Sequence, residues 1–135
     1  DLEKRENERI EKAGYKNFFI KGIYPLLKSK SNGECTFLTK DNLCKIYKIR
    51  PATCRLQPFT ISEYDFEEEK LIVSVPDFML STCKGFHKGE MDRKILIEVA
   101  KVAEEIFDDL KNFFSKMTGL PRDSTQNIKN IMDTL

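Results

Sequence analysis

The segment Met91–Met117, MDRKILIEVAKVAEEIFDDLKNFFSKM, is the longest regular pattern in this chain. Its apolar residues recur at steps of three and four, the spacing of one face of an α-helix. They are Leu96, Val99, Ala103, Ile106, Leu110, Phe113 and Met117, and Ile95, Val102, Phe107 and Phe114 widen the face. Gly119 and Pro121 follow, which suits a left-handed cap and a stop. The segment therefore predicts a long amphipathic C-terminal helix of roughly 40 Å.

Shorter patterns flank this helix on both sides. Residues 59–66 and 70–75 predict a β-hairpin, and Glu67-Glu68-Glu69 forms its acidic turn. Residues 1–13 are charged and helix-prone, with Gly14 as cap, and a last short helix begins near Asp123 or Ser124. A small hairpin, a cysteine-rich centre and flanking helices predict an α+β fold.

The cysteine-rich centre is predicted in smaller pieces. Cys35–Leu38 has the composition of a short strand, and Pro51 suits the first turn of a short helix that carries Cys54 and Arg55. A loop is expected from Pro76 to Cys83. We find no internal repeat in the sequence.

Length and charge exclude several classes of protein. The chain has 135 residues, 40% hydrophobic and 33% charged, which favours one folded domain over a disordered chain. We expect a single domain over 1–135, with a cysteine-cluster region at 1–90 and a helical region at 91–135. A net charge of +1 disfavours a strongly basic nucleic-acid binder. No apolar run approaches the ~18 residues of a membrane helix, and no signal peptide is visible, so we expect a cytoplasmic protein.

The four cysteines, Cys35, Cys44, Cys54 and Cys83, are the residues that point to chemistry. Four thiolates suit tetrahedral zinc or an iron–sulfur cluster, because both take soft sulfur ligands. An even number of cysteines also fits a disulfide framework, although the chain does not have a secreted composition. No C-x2-C pair is present, so the spacing leaves metal ligands, disulfides and core thiols as alternatives.

One block of the sequence resembles a known family. The residues are C-T-F-L at 35–38 and C-K-I-Y-K-I-R-P-A-T-C-R-L-Q-P-F at 44–59, followed by C-K-G at 83–85. They resemble the YkgJ-type cysteine-cluster family, also described as the CxxCxxCC putative zinc- or iron-chelating domain. The resemblance implies that Cys35, Cys44, Cys54 and Cys83 bind zinc or an iron–sulfur cluster, such as a 4Fe–4S cluster. The family's opening CxxCxxCC cluster is missing, and the chain begins without Met, so we expect that cluster upstream.

A thiolate metal site also suggests roles for the residues around the cysteines. Arg50 and Arg55 flank Cys54 and could offset the negative charge of the thiolates, although surface ion pairing is an alternative for both. Tyr47 is expected to pack beside the site or simply in the core. His87 is read as a loop residue, not a ligand. We predict that the four sulfurs converge on one metal centre.

No catalytic constellation is visible, so enzymatic activity stays open. The preferred function is a metal-binding protein of unknown cellular role, with a metal ion or cluster as partner. Similar domains occur in flagellin lysine methylases, which suggests a cluster-bearing module of a protein-modifying enzyme as an alternative. A further alternative is an interaction scaffold, because the apolar face of the long helix can contact a protein partner. Packing of that face within its own domain is favoured, since the face is broad.

Overall fold

The computed structural model describes residues 2–21, 26–82 and 89–135. Along the chain the elements are α1 (Leu2–Lys12), β1 (Phe19–Ile20), β2 (Leu26–Leu27), a 3-10 turn (Tyr47–Ile49), α2 (Ala52–Leu56), β3 (Thr60–Asp65), β4 (Lys70–Ser74), α3 (Asp77–Thr82), α4 (Arg93–Thr118) and α5 (Thr125–Thr134). The strands form two antiparallel pairs, β1–β2 and β3–β4. The predicted α+β class and the long C-terminal helix are therefore confirmed.

The described chain forms two compact units, Leu2–Pro51 and Ala52–Leu135. We call them the N-terminal unit and the C-terminal unit. The division expected from the sequence, at residue 90, stays a prediction about domain organisation.

The N-terminal unit is built on four buried side chains. Ile10 from α1 packs with Phe18, Phe37 and Ile46, and these residues are between 0% and 4% exposed. Aromatic contacts add to this core: the Tyr15 ring meets the Phe37 ring edge-on with centroids 5.4 Å apart, and the Phe18 ring is tilted against Phe37 at 5.5 Å. Ile10 and Glu6 are the buried residues of α1, so one narrow face docks this otherwise polar helix.

The C-terminal unit is built around the middle of α4. Phe107 packs with Ile128 and Ile131 of α5, and all three side chains are buried. From the hairpin, Tyr64 stacks on Phe107 with ring centroids 5.5 Å apart and an interplanar angle of 19°. Helix α2 also packs on α4. The long helix is thus covered by its own unit along its central turns, which was the favoured expectation.

The predicted apolar face of α4 is buried only in part. Val102, Ala103 and Phe107 are the buried residues of the helix. Leu96 and Met117, at the two ends of the predicted series, are 48% and 62% exposed. The prediction was wrong at these ends because α4 extends beyond the elements that pack on its centre.

Three other predicted elements were right in kind. The hairpin pairs Thr60 with Ser74 and Asp65 with Lys70, with a register shift between Ile61 and Glu63. Gly119 ends α4 at φ 74°, and its N–H donates to the Ser115 carbonyl. Ser124 begins α5, since its side chain accepts from the Asn127 N–H at 3.1 Å.

Two local predictions were wrong. Residues Cys35–Leu38 form a turn, not a strand, and the Leu38 N–H donates to the Cys35 carbonyl at 3.0 Å. The expected loop after Pro76 contains α3, whose first bonds run from the Met79 and Leu80 N–H groups to the Pro76 carbonyl. A proline followed by an acidic residue is a favourable helix start, and Pro76-Asp77 supplies both at the beginning of α3.

A charged network joins α4 to the segment before α5. Lys111 Nζ lies 2.9 Å from Asp123 Oδ1 and 3.3 Å from Asp108 Oδ1. Burial lowers the pKa of Lys111, but hydrogen bonds to Asp123 and Asp108 outweigh it, so its pKa lies above the ordinary value. The same hydrogen bond from Lys111 lowers the pKa of Asp123.

Within residues 2–21, 26–82 and 89–135, we find no helix with the length and apolar character needed to cross a membrane.

Candidate metal centre

The stretch before the 3-10 turn contains a backbone repeat with a period of nine residues. In its first copy, residues 28–38, Ser29 pairs with Cys35 as an isolated antiparallel bridge. Its backbone hydrogen bonds run from Lys30 N to Glu34 O (2.7 Å), Gly33 N to Lys30 O (2.9 Å), Thr36 N to Lys28 O (3.1 Å) and Leu38 N to Cys35 O (3.0 Å).

The second copy, residues 37–47, reproduces each of these contacts nine residues later. Leu38 pairs with Cys44 as the equivalent bridge. The bonds run from Thr39 N to Leu43 O (2.8 Å), Asn42 N to Thr39 O (3.1 Å), Lys45 N to Phe37 O (2.9 Å) and Tyr47 N to Cys44 O (3.3 Å). We call the two copies the paired turns.

Residues with positive φ occupy the same place in both copies. Gly33 has φ 86° and Asn42 has φ 60°, a left-handed conformation that Gly and Asn adopt more readily than other residues. Phe37 and Ile46 are likewise equivalent, and both enter the core of the N-terminal unit. Cys35 and Cys44 therefore occupy equivalent backbone positions, each at the first residue of a turn.

The two thiols of the paired turns differ in burial. Cys35 is exposed, whereas Cys44 is half-buried and packs against the core cluster. Among the described cysteines, no disulfide joins Cys35, Cys44 or Cys54 to another. Metal ligation requires a cysteine in its reduced, deprotonated form.

The other two predicted ligands lie elsewhere in the chain. Cys54 is half-buried in α2, within the C-terminal unit. Cys83 and His87 fall outside the described residues. Across the described ranges, no group of three or more His, Cys, Asp or Glu side chains is arranged to hold a metal ion. Convergence of the four sulfurs therefore stays a prediction.

Arg50 and Tyr47 form a local pair. The Arg50 guanidinium carbon lies 3.9 Å from the centroid of the Tyr47 ring, and Nη1 donates to the Tyr47 carbonyl at 2.8 Å. The Tyr47 ring is 63% exposed. A cation over an aromatic face is stabilising, so this pair helps to hold the backbone that follows the second of the paired turns. Its predicted role beside the sulfurs is not tested by these contacts.

Arg55 forms an ion pair, which is the alternative role that the sequence analysis gave for this residue. Its Nη2 lies 3.1 Å from Glu105 Oε2 of α4, with the two side chains 31% and 49% exposed. Because α2 carries both Cys54 and Arg55, this bond helps to orient the helix that holds Cys54. A charge-balancing role beside Cys54 remains a prediction.

The paired turns present thiol groups of the type that soft metals accept. The carbonyls of Cys35 and Cys44 already accept backbone hydrogen bonds, so the two sulfurs are the groups that a metal would contact. Thiolate sulfur suits zinc and iron–sulfur clusters. Metal ligation by these two cysteines stays a prediction.

The chain belongs to the CxxCxxCC family, described as a putative zinc- or iron-chelating domain, whose sequence model matches residues 1–77. Uncharacterized protein MJ0661 of Methanocaldococcus jannaschii is 37% identical over 87 residues, which is 64% of this chain and 44% of that protein. The alignment therefore spans less than half of the relative. No solved structure matches the chain. The family description supports metal binding in general.

Proposed function

We propose that this chain binds zinc or an iron–sulfur cluster through the thiolates of Cys35, Cys44, Cys54 and Cys83. One observation carries the proposal: the paired turns hold Cys35 and Cys44 in the same backbone frame. That frame lies inside the segment that matches a family described as chelating. Thiolates are the donors that both metals accept.

A bound metal would have a structural effect on the N-terminal unit. This unit has about 50 residues, and chains of that size are of marginal stability without a metal, a disulfide or a partner. Its core consists of four buried side chains, and residues 28–47 contribute two of them. Metal ligation at Cys35 and Cys44 would therefore stabilise turns that hydrophobic contacts hold weakly. If the group is a cluster, it would also supply redox chemistry.

The first experiment is metal analysis of the chain purified without oxygen. We expect bound zinc, or iron with acid-labile sulfide. Zinc is colourless, so a visible absorption band favours the cluster and its absence favours zinc. A chain with less than about one tenth of an equivalent of either metal would contradict the proposal.

The second experiment assigns the ligands. Single Cys→Ser changes at positions 35, 44, 54 and 83 should each lower the metal content or the affinity for cobalt(II), whose thiolate charge-transfer bands report sulfur ligation. Ser31→Ala, on the exposed part of the first turn, serves as the matched control and should bind as the parent does. Unchanged binding in any cysteine variant removes that residue from the ligand set.

The cytoplasm is the compartment we propose for this protein. Cys35 is an exposed thiol, and exposed thiols persist in reducing compartments. Measurement of the thiol state after rapid acid quenching of cells would test this. A disulfide at Cys35 in freshly quenched cells would contradict it.

An interaction scaffold is a second candidate function, and the first turns of α4 favour it. Ile95, Leu96 and Ile97 are between 46% and 50% exposed, which is unusual for three consecutive large apolar residues. Sedimentation at rising protein concentration tests self-association. If association occurs, Leu96→Glu should weaken it and Glu98→Ala, on the same helix, should not; a monomer at every concentration would argue against a second copy as partner.

A further inference from the structure

We propose that the backbone N–H groups of Phe37 and Ile46 donate hydrogen bonds to the thiolate sulfurs of Cys35 and Cys44. The two bonds are equivalent, one in each of the paired turns. This inference rests on the proposed metal-binding function, because it concerns the anionic form of the two cysteines. It adds to that site two hydrogen-bond donors, which the sequence alone does not reveal.

The turn geometry supplies the first argument. Each cysteine is the first residue of a four-residue turn, which the N–H of Leu38 or Tyr47 closes by donating to the cysteine carbonyl. In such a turn, an acceptor on the first side chain can reach the N–H two residues further on. Phe37 and Ile46 each follow their cysteine by two residues.

The chain already shows this contact with oxygen acceptors. Asn32 Oδ1 accepts from the N–H of Glu34 at 3.1 Å, and Asp65 Oδ1 accepts from the N–H of Glu67 at 3.0 Å. In both cases the donor lies two residues after the acceptor. A thiolate at the start of a turn can accept a bond with the same sequence separation.

The state of the two donors supplies the second argument. Phe37 and Ile46 are 4% and 3% exposed, so their surroundings are largely dry. In the described part of the chain, neither backbone N–H donates to a backbone carbonyl, although the neighbouring N–H groups of Thr36 and Lys45 do. A buried N–H without an acceptor is costly, and a thiolate would remove that cost.

The two bonds would alter the chemistry of the site. A hydrogen bond donated to sulfur stabilises the thiolate, which is the form that binds metal. For an iron–sulfur cluster, hydrogen bonds to sulfur also shift the reduction potential. The paired turns would thus supply two ligands and two donors from one repeated backbone unit.

The first test uses the ¹⁵N-labelled full chain loaded with ¹¹³Cd²⁺ without oxygen. We expect scalar coupling from cadmium to the β protons of Cys35 and Cys44, and weaker coupling to the amide protons of Phe37 and Ile46. Amide exchange at Phe37 and Ile46 should slow by at least about ten-fold more than at Thr36 and Lys45, whose N–H groups are already bonded.

Two results of that test would have different meanings. Coupling to the cysteine β protons without coupling or selective slowing at the two amides would overturn the inference and leave the proposed function standing. No coupling to either cysteine would refute metal ligation by the paired turns, and with it the bonds proposed here.

A second test examines the turn geometry without metal. In Cys35→Asp, a carboxylate replaces the sulfur and should accept from the Phe37 N–H, so exchange of that amide should be about ten-fold slower than in Cys35→Ala. The pair Cys44→Asp and Cys44→Ala gives the same comparison at Ile46. Equal exchange in the Asp and Ala variants would overturn the inference whatever the metal experiments show.

Discussion

Replacement of Ile10 by Ala tests how the N-terminal unit is held together. Ile10 is 0% exposed and is the residue through which α1 enters the core of Phe18, Phe37 and Ile46. Truncation of a buried Ile to Ala costs about 2–5 kcal/mol, because it removes apolar contacts and leaves a cavity. We expect a loss near the upper half of that range, since α1 contributes few other buried side chains.

That loss is large for a unit of this size. At about 0.05–0.15 kcal/mol per residue, some 50 residues have about 2.5–7.5 kcal/mol of stability. Ile10→Ala should therefore leave the metal-free N-terminal unit partly unfolded at 25 °C. A ligand at 100 times its dissociation constant adds about 2.7 kcal/mol, so saturating zinc should restore much of the lost folded population.

The assay is urea unfolding followed by the amide NMR signals of Phe37 and Ile46, because the chain has no Trp to report on this unit. Glu8→Ala, on the exposed side of α1, is the matched control and should stay within about 0.5 kcal/mol of the parent. A loss below about 1 kcal/mol in Ile10→Ala would refute the argument that this side chain docks the helix.

Three further predictions concern other parts of the molecule. Asn42→Gly should leave thermal stability nearly unchanged, whereas Asn42→Val should cost about 1–2 kcal/mol because φ is 60° there; equal effects would contradict the left-handed assignment. Asp123→Asn should cost about 0.2–1 kcal/mol at pH 7. That cost should begin to fall at about pH 4, the ordinary pKa of an Asp, and vanish below the lowered pKa that Lys111 gives Asp123, where the carboxylate is protonated; a pH-independent cost in urea titrations would argue against it. Phe107→Ala should cost about 3–5 kcal/mol in calorimetry, and a loss near that of a surface change would show that the stack with Tyr64 is not core packing.

The strongly periodic elements were predictable from the sequence. The spacing of apolar residues predicted α4, and the alternation of apolar and polar residues predicted the β3–β4 hairpin. Ser124 and Gly119 indicated helix ends, because a serine side chain can accept a hydrogen bond from the first turn and a glycine can adopt the left-handed cap. These features depend on contacts between residues close in the chain. For that reason the sequence alone could predict them.

The turns around the cysteines were harder to read. Thr36 and Phe37 are residues of high strand propensity, yet the backbone there turns because residues on both sides pair across short hairpins. The nine-residue repeat is not visible in the sequence because its copies share backbone geometry but, apart from Cys35 and Cys44, no residue identity. Gly33 and Asn42 differ in identity but have the same left-handed conformation, and Phe37 and Ile46 share only their burial.

The sequence names the candidate site by residue type, and metal ligation by those residues stays a prediction. The cysteines could be named from the family pattern, and the family is confirmed over residues 1–77. Arg55 bonds to Glu105, which lies 50 positions further along the chain, and no local pattern predicts that pairing. The two donors at Phe37 and Ile46 became visible only when the hydrogen bonds of neighbouring residues were known.

The hairpin has a consequence for any attempt to isolate the segment that matches the family. The family match stops at residue 77, but Tyr64 and Leu71 from that hairpin pack on a cluster whose buried members, Phe107, Ile128 and Ile131, all lie beyond it. Helix α2, which carries Cys54, also packs on α4. A fragment cut at the family boundary would expose these apolar faces to water and release the helix that holds one proposed ligand. The boundary of sequence similarity is therefore not a boundary of folding, and expression of the cysteine block alone should yield an aggregation-prone peptide.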